Sequence, residues 1–167
     1  MSLFLRSVVL GAAVLTTAAS GAIFATPPTP PMTQATARSA QAGRLPAVTV
    51  YKDPNCGCCS LWVTHMERAG FAVTAINTPD MPALRAKHGV PQHTQSCHTA
   101  VVDGYVVEGH VPADDVKKLL ASRPNVKGLA VPGMPMGSPG MEQGTTRHAY
   151  SVLAFDEAGR TTVFARH

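Results

Sequence analysis

Ala47-Val48-Thr49-Val50-Tyr51-Lys52-Asp53-Pro54-Asn55-Cys56-Gly57-Cys58-Cys59 holds three cysteines in four residues, where one structural pattern gives way to another. The β-rich run at 47–51 reads as a buried strand. Lys52-Asp53-Pro54-Asn55 breaks it, and Asn55 can cap a helix opening at Cys56. Beyond the turn, Cys59, Trp62, Val63 and Met66 recur at helical spacing and form an apolar stripe suited to facing a sheet. Gly70 stops the helix, with Phe71 as the apolar residue that follows a C-terminal glycine.

The same reading extends along the chain. Residues 71–76 form a second strand. Asp80 starts a short helix carrying Leu84, which ends at Gly89 and Pro91. Residues 99–102 and 105–107 are strands joined by Asp103-Gly104, a strong two-residue hairpin signal. Pro112 suits the first position of a third helix with Val116, Leu119 and Leu120 on one face, ending before Pro124. The pattern predicts an α/β fold, a thioredoxin-like β-α-β-α-β-β-α sandwich. Its first two strands are parallel because a helix links them. Residues 128–144 read as a Gly/Pro/Met loop. Residues 150–155 and 161–164, around Glu157-Ala158-Gly159, form an added C-terminal hairpin.

The 167 residues suit one domain, and 45% hydrophobic content is enough for a core. A net charge of +4, without any Lys/Arg run of five, argues against nucleic-acid binding. Arg6 precedes an apolar or small run at 7–24, with small residues at Ala22 and Ala25, so residues 1–25 read as a signal peptide. An uncleaved anchor is the competing reading, since about 18 apolar residues nearly span a bilayer. Either places the domain outside the cytoplasm, and membrane contact would come only through an uncleaved leader. Residues 26–46, with five prolines at Pro27, Pro28, Pro30, Pro31 and Pro46, read as a flexible linker to a metal-binding domain at 47–167.

Cysteines at a strand-to-helix turn face free N–H groups and the positive end of the helix dipole. Such thiols lose protons more readily, and the thiolate is both nucleophile and metal ligand. Cys56 and Cys59 have redox C-x-x-C spacing, whereas Cys58 adds a third sulfur that a dithiol oxidant does not need. Cys97 and His98 precede the third strand, which the expected fold brings beside this turn. Three readings stay open. One is a soft-metal site of Cys56, Cys58, Cys59 and Cys97. Another is a thiol–disulfide oxidoreductase using Cys56 and Cys59. The third is a pair of structural disulfides. Against the oxidoreductase, His98-Thr99 stands where thioredoxins carry a substrate-aligning proline. Thiolates select copper(I), zinc or iron–sulfur centres. The Met-rich loop, with Met134, Met136 and Met141, tilts the reading to copper. His98, His110, Met134 and Met136 are candidate further ligands. His65 is read as a surface residue, His88 as a helix-end residue, and His93, His148 and His167 as solvated.

Four separated motifs carry a resemblance: residues 51–59, Ser96-Cys97-His98-Thr99-Ala100, Gly109-His110-Val111-Pro112, and Gly128-Leu129-Ala130-Val131-Pro132-Gly133-Met134-Pro135. Over residues 47–157 the chain resembles an exported bacterial metal-binding family, formerly a domain of unknown function, that includes the CopG-like copper-resistance proteins. The resemblance implies a thioredoxin-like fold, a periplasmic location and a role in copper or silver resistance. It also implies copper held by Cys56, Cys58, Cys59 and Cys97, with several ions bridged by sulfur and capable of redox change. Metal ions are the expected partners, together with other periplasmic copper-handling proteins.

Overall fold

A computed structural model describes residues 44–167. The expected leader at 1–25 and nearly all of the expected linker at 26–46 lie outside the described residues. Strand β1 (Val48–Lys52) alternates buried and half-buried positions and is an interior strand, one in from an edge of the sheet. Helix α1 (Gly57–Arg68) crosses to β2 (Val73–Asn77), which lies parallel to β1. Helix α2 (Met81–His88) begins where Asp80 accepts the Ala83 N–H and ends at left-handed Gly89. A single 3₁₀ turn (Gln92–Thr94) leads into β3 (His98–Val102), antiparallel to β1. Asp103 and Gly104 both have positive φ, at 47° and 86°, and turn the chain into β4 (Tyr105–Glu108). Helix α3 (Ala113–Ser122) follows, with Pro112 as its cap rather than its first residue.

The fold is mixed α/β, with three helices and one seven-stranded sheet of order β2-β1-β3-β4-β5-β6-β7 among the described residues. The C-terminal hairpin, β6 (Ser151–Phe155) and β7 (Thr161–Arg166), is not a separate appendage. A short strand, β5 (Gly128–Ala130), splices it to the sheet by pairing parallel to β4 and antiparallel to β6. Three residues starting with glycine and running soon into Pro132 give little strand signal, so the stretch reads as loop. Glycine is needed here because a Cβ at position 128 would run into the backbone of Val106.

Side chains alternate across the sheet. Val50, Ala100, Val107, Leu129 and Val152 join Trp62 and Met66 of α1 and Val116 and Leu119 of α3 in the larger core. Val106, Ala130 and Phe155 meet Val90 in a smaller core on the other face. Cys59, Trp62 and Met66 of the expected α1 stripe are buried and Val63 is half-buried, and the Trp62 indole N–H donates to Val111 O at 2.8 Å.

His65 departs from its surface reading. Its Nε2 accepts the N–H of Ala113, the first residue of α3, at 3.0 Å, which satisfies a donor that Pro112 cannot. The imidazole must be neutral to accept, and burial holds its pKa below the ordinary 6.5. An unfolded chain takes up that proton near 6.5 while the folded one resists it. The stability from this group is thus full above pH 6.5 and is lost as pH falls below it. The urea midpoint of the metal-free domain is expected to drop as pH is lowered from 7.5 to 5.5. The drop should be shallower in His65→Gln, whose amide oxygen accepts the same N–H without titrating.

Candidate metal centre

Lys52, the last residue of β1, is buried, and its ammonium donates to the carbonyls of Asp53 (3.0 Å) and Pro54 (3.4 Å). Asp53 Oδ1 accepts the Asn55 N–H at 2.8 Å, so the turn is tied at both ends. The cap of α1 is Cys56 rather than Asn55: its sulfur accepts the Cys59 N–H at 3.3 Å. Thus the first cysteine lies at the electropositive end of the helix, and the tight turn carries Cys58 and Cys59 on its opening residues.

Cys97 arrives from the segment preceding β3, and the four sulfurs lie within 4.8 Å of one another. Cys56 and Cys59 are joined by a disulfide, while Cys58 and Cys97 are free thiols 3.9 Å apart. Cys58 Sγ is also 3.6 Å from Cys56 Sγ, and Cys59 Sγ is 3.8 Å from Cys97 O. Burial pushes the Cys97 thiol up to about 12, reinforced by Cys58 beside it, so a bound cation would have to displace its proton.

Two imidazoles complete the cluster. Cys97, His98 and His110 form a second group with donor atoms within 4.8 Å of each other. His110 Nε2 lies 2.9 Å from the Cys97 sulfur, and its Nδ1–H donates to Pro139 O at 2.8 Å. That carbonyl fixes the tautomer, leaving the Nε2 lone pair aimed at the sulfur, as metal-binding histidines are commonly oriented. His98 Nδ1 lies 3.5 Å from the same sulfur, and its ring packs on Trp62 with centroids 4.5 Å apart. Both rings are fully buried, and desolvation holds both below the ordinary histidine range. Neutral imidazoles with directed lone pairs, beside thiols within bridging distance, are a fitting donor set for a soft or borderline ion.

Solved structures with the same architecture have been described. The copper resistance protein CopG, form 2, is 48% identical, with a TM-score of 0.71 covering 74% of this chain and 99% of that one. This chain belongs to the CopG family. CopG form 1 gives the same identity and TM-score over 74% of this chain and 98% of that one. A family described as "Protein of unknown function, DUF411" matches residues 94–141, which hold Cys97, His98, His110 and the Met-rich loop. No curated protein sequence matches.

In this CopG-family chain the Met-rich loop is pinned beside the cluster. Gly133 N donates to Gln95 O at 3.2 Å, and the Ser96 hydroxyl donates to Gly133 O. At Gly140, with φ of 87°, a Cβ would come within 2.8 Å of both Cys58 O and Trp62 N, so only glycine lets the loop close over the helix start. Met134 is 53% exposed, whereas Met136 and Met141 are half-buried. His93 and His148 are exposed as expected; His167, although exposed, hydrogen-bonds Asp115 at 2.7 Å and stacks on Tyr150.

Sequence reasoning overlooked Glu108 and Arg85. The Glu108 carboxylate is fully buried and accepts from Arg85 Nε (2.9 Å), Ser96 N (2.7 Å) and Thr99 Oγ1 (2.6 Å). Burial pushes this carboxyl upward, while the donors from Thr99, Ser96 and Arg85 pull it back. Arg85 also donates to Ser96 O. Ser96 and Thr99 flank Cys97-His98, so one carboxylate holds both sides of the ligand pair. The available signal was an acid ending a β-rich run just before Gly109-His110.

Proposed function

We propose that this is an exported, periplasmic copper-binding protein of metal resistance that holds copper(I) through Cys56, Cys58, Cys59 and Cys97. The observation that carries the reading is four sulfurs within 4.8 Å, three of them from one turn. Four thiolates cannot saturate several copper ions separately, so bridging sulfur is the natural chemistry. His98 and His110 fill remaining positions at the buried side, and the thioethers of Met134 and Met136 on the adjoining loop are further ligands. Silver is compatible with the same soft donors, and zinc with a mixed thiolate–imidazole subset. A sulfur-rich centre with open positions suits one-electron exchange between copper(I) and copper(II). The strand order β2-β1-β3-β4, with β1 and β2 parallel and the other two neighbouring pairs antiparallel, supports a thioredoxin-like core extended by β5, β6 and β7.

The disulfide between Cys56 and Cys59 favours a second reading, thiol–disulfide exchange. There Cys56 would attack and Cys59 would resolve. It also means that full sulfur ligation of copper requires an external reductant to supply two electrons that open the pair to two thiolates. Anaerobic copper(I) titration of the reduced protein separates the two functions. Wild type is expected to take up more than one ion per chain and Cys58→Ser fewer, while dithiol exchange survives that substitution. Unchanged copper uptake in Cys58→Ser would remove the three-sulfur turn from the site.

A further inference from the structure

We infer that Lys52 is a positioning residue of the CxCC turn, whose ammonium is the built-in counter-charge for the negative sulfur that appears when the Cys56–Cys59 disulfide opens. The inference rests on the reading above that these sulfurs work as thiolates, and it adds what makes that charged state favourable.

Two Lys or Arg side chains are buried among the described residues, Lys52 and Arg85. Arg85 has a carboxylate opposite it, with Glu108 Oε1 at 2.9 Å. Lys52 is only 6% exposed, yet its ammonium meets backbone carbonyls, those of Asp53 and Pro54, and no carboxylate of the described residues lies within ion-pair distance. The acid next to it in the chain, Asp53, turns an oxygen to the Asn55 N–H at 2.8 Å instead. Buried charges are normally paired, and an apolar side chain of the same length would fill this space without the desolvation cost. The unpaired cation therefore points to an anion that the disulfide-closed chain does not yet present.

Position identifies that anion. Lys52 closes β1 on the same face as Val48 and Val50, the face that α1 covers. Asp53 O accepts both the Lys52 ammonium, at 3.0 Å, and the Cys56 N–H, at 3.1 Å, so one carbonyl oxygen ties the cation to the first cysteine. The Cys56 sulfur in turn accepts the Cys59 N–H at 3.3 Å. Negative charge on that sulfur would be met by both the helix start and the ammonium. The field of Lys52 also reaches its partner in the sheet register, His98. Burial first, then the charges of His110, Arg85 and Lys52, hold that imidazole below the ordinary histidine range.

Opening the disulfide takes two electrons from an external pair of thiols, which becomes a disulfide itself. The Cys56–Cys59 bond breaks, and each sulfur is left as a thiolate or takes up a proton. The closed pair is uncharged and a thiolate is not, so a fixed cation beside the turn favours the open form. Lys52 acts through the charge on the sulfurs and takes no part in bond making or breaking.

The test is the equilibrium of the metal-free full chain with glutathione redox buffers at neutral pH, in a Cys58→Ser/Cys97→Ser background that leaves a single dithiol. Lys52→Met keeps the stem and removes the charge, and should lower the equilibrium constant for reduction by about tenfold or more, as losing a nearby opposite charge does. A tenfold fall is about 30 mV. Lys52→Gln still donates a hydrogen bond but carries no charge, and should fall with Lys52→Met. Lys52→Arg keeps the charge and should stay near the parent value. A role confined to tying the turn gives the other pattern, with Lys52→Gln at the parent value. The inference is overturned if Lys52→Gln is unchanged, or if Lys52→Arg falls as far as Lys52→Gln. That pair decides the matter even where Lys52→Met does not fold, which urea curves of each variant show. No copper enters these measurements, so their failure leaves the copper(I) reading standing. The expected shifts in a chain that refuses copper(I) would uphold Lys52 and confine it to dithiol exchange.

Discussion

Replacing Glu108 with alanine is expected to destabilise the domain by about 3–5 kcal/mol, the range for removing one partner of a buried ion pair. Glu108 is fully buried, and the Arg85 side chain opposite it is only 11% exposed. Without the carboxylate, Arg85 is left largely desolvated, and the Ser96 N–H and Thr99 hydroxyl each lose their acceptor. Leaving such donors unsatisfied is what costs free energy, more than the loss of the favourable contacts. Urea unfolding of the metal-free protein measures the effect directly. Glu108→Gln should lose distinctly less, because an amide oxygen still accepts two of the three donors. A loss below about 1 kcal/mol in the alanine variant, within the range of an exposed pair, would mean that water reaches the network.

Cys97→Ser is expected to have the opposite profile, with little change in folding and a large loss of metal binding. Cys97 is only partly buried, and serine is nearly its size. Yet its sulfur lies in both donor groups: the cysteine cluster and the trio with His98 and His110. A hydroxyl is a poor ligand for copper(I) and is not deprotonated at neutral pH. The copper(I) affinity of the reduced protein should therefore fall further than the roughly 10–100-fold typical of losing an outer-shell partner. Competition against a chromophoric copper(I) chelator, beside a urea curve for the same variant, separates the two outcomes. Retained affinity with an unchanged urea curve would place the copper on the helical turn alone.

The two variants divide the site into parts that were and were not legible in the sequence. The CxCC turn could be read because its residues are neighbours in the chain and its chemistry depends on residue type. The position of Cys97 could be inferred only through the expected topology, in which β3 lies against β1; Lys52 and His98 are paired in that register. Glu108 was invisible because an acid at the end of a strand reads as solvated until its face of the sheet is known. The role of His65 was missed for a related reason. Nine residues past Cys56, it falls on the opposite side of the helix from that cysteine and reads as surface, but the start of α3 comes to meet it.

By itself the amino-acid sequence determined the local elements, the hairpin at Asp103-Gly104 and the grouping of three thiols at one helix start. These follow from short-range steric and hydrogen-bonding preferences, which neighbouring residues set between them. Tertiary structure decided what distant segments do on meeting. It made three residues at Gly128–Ala130 a strand by giving them partners on both sides. It also oriented His110 through Pro139 O and matched Arg85 to Glu108. Burial of a charge or a lone pair depends on every element packed around it, and chain order alone does not encode that packing.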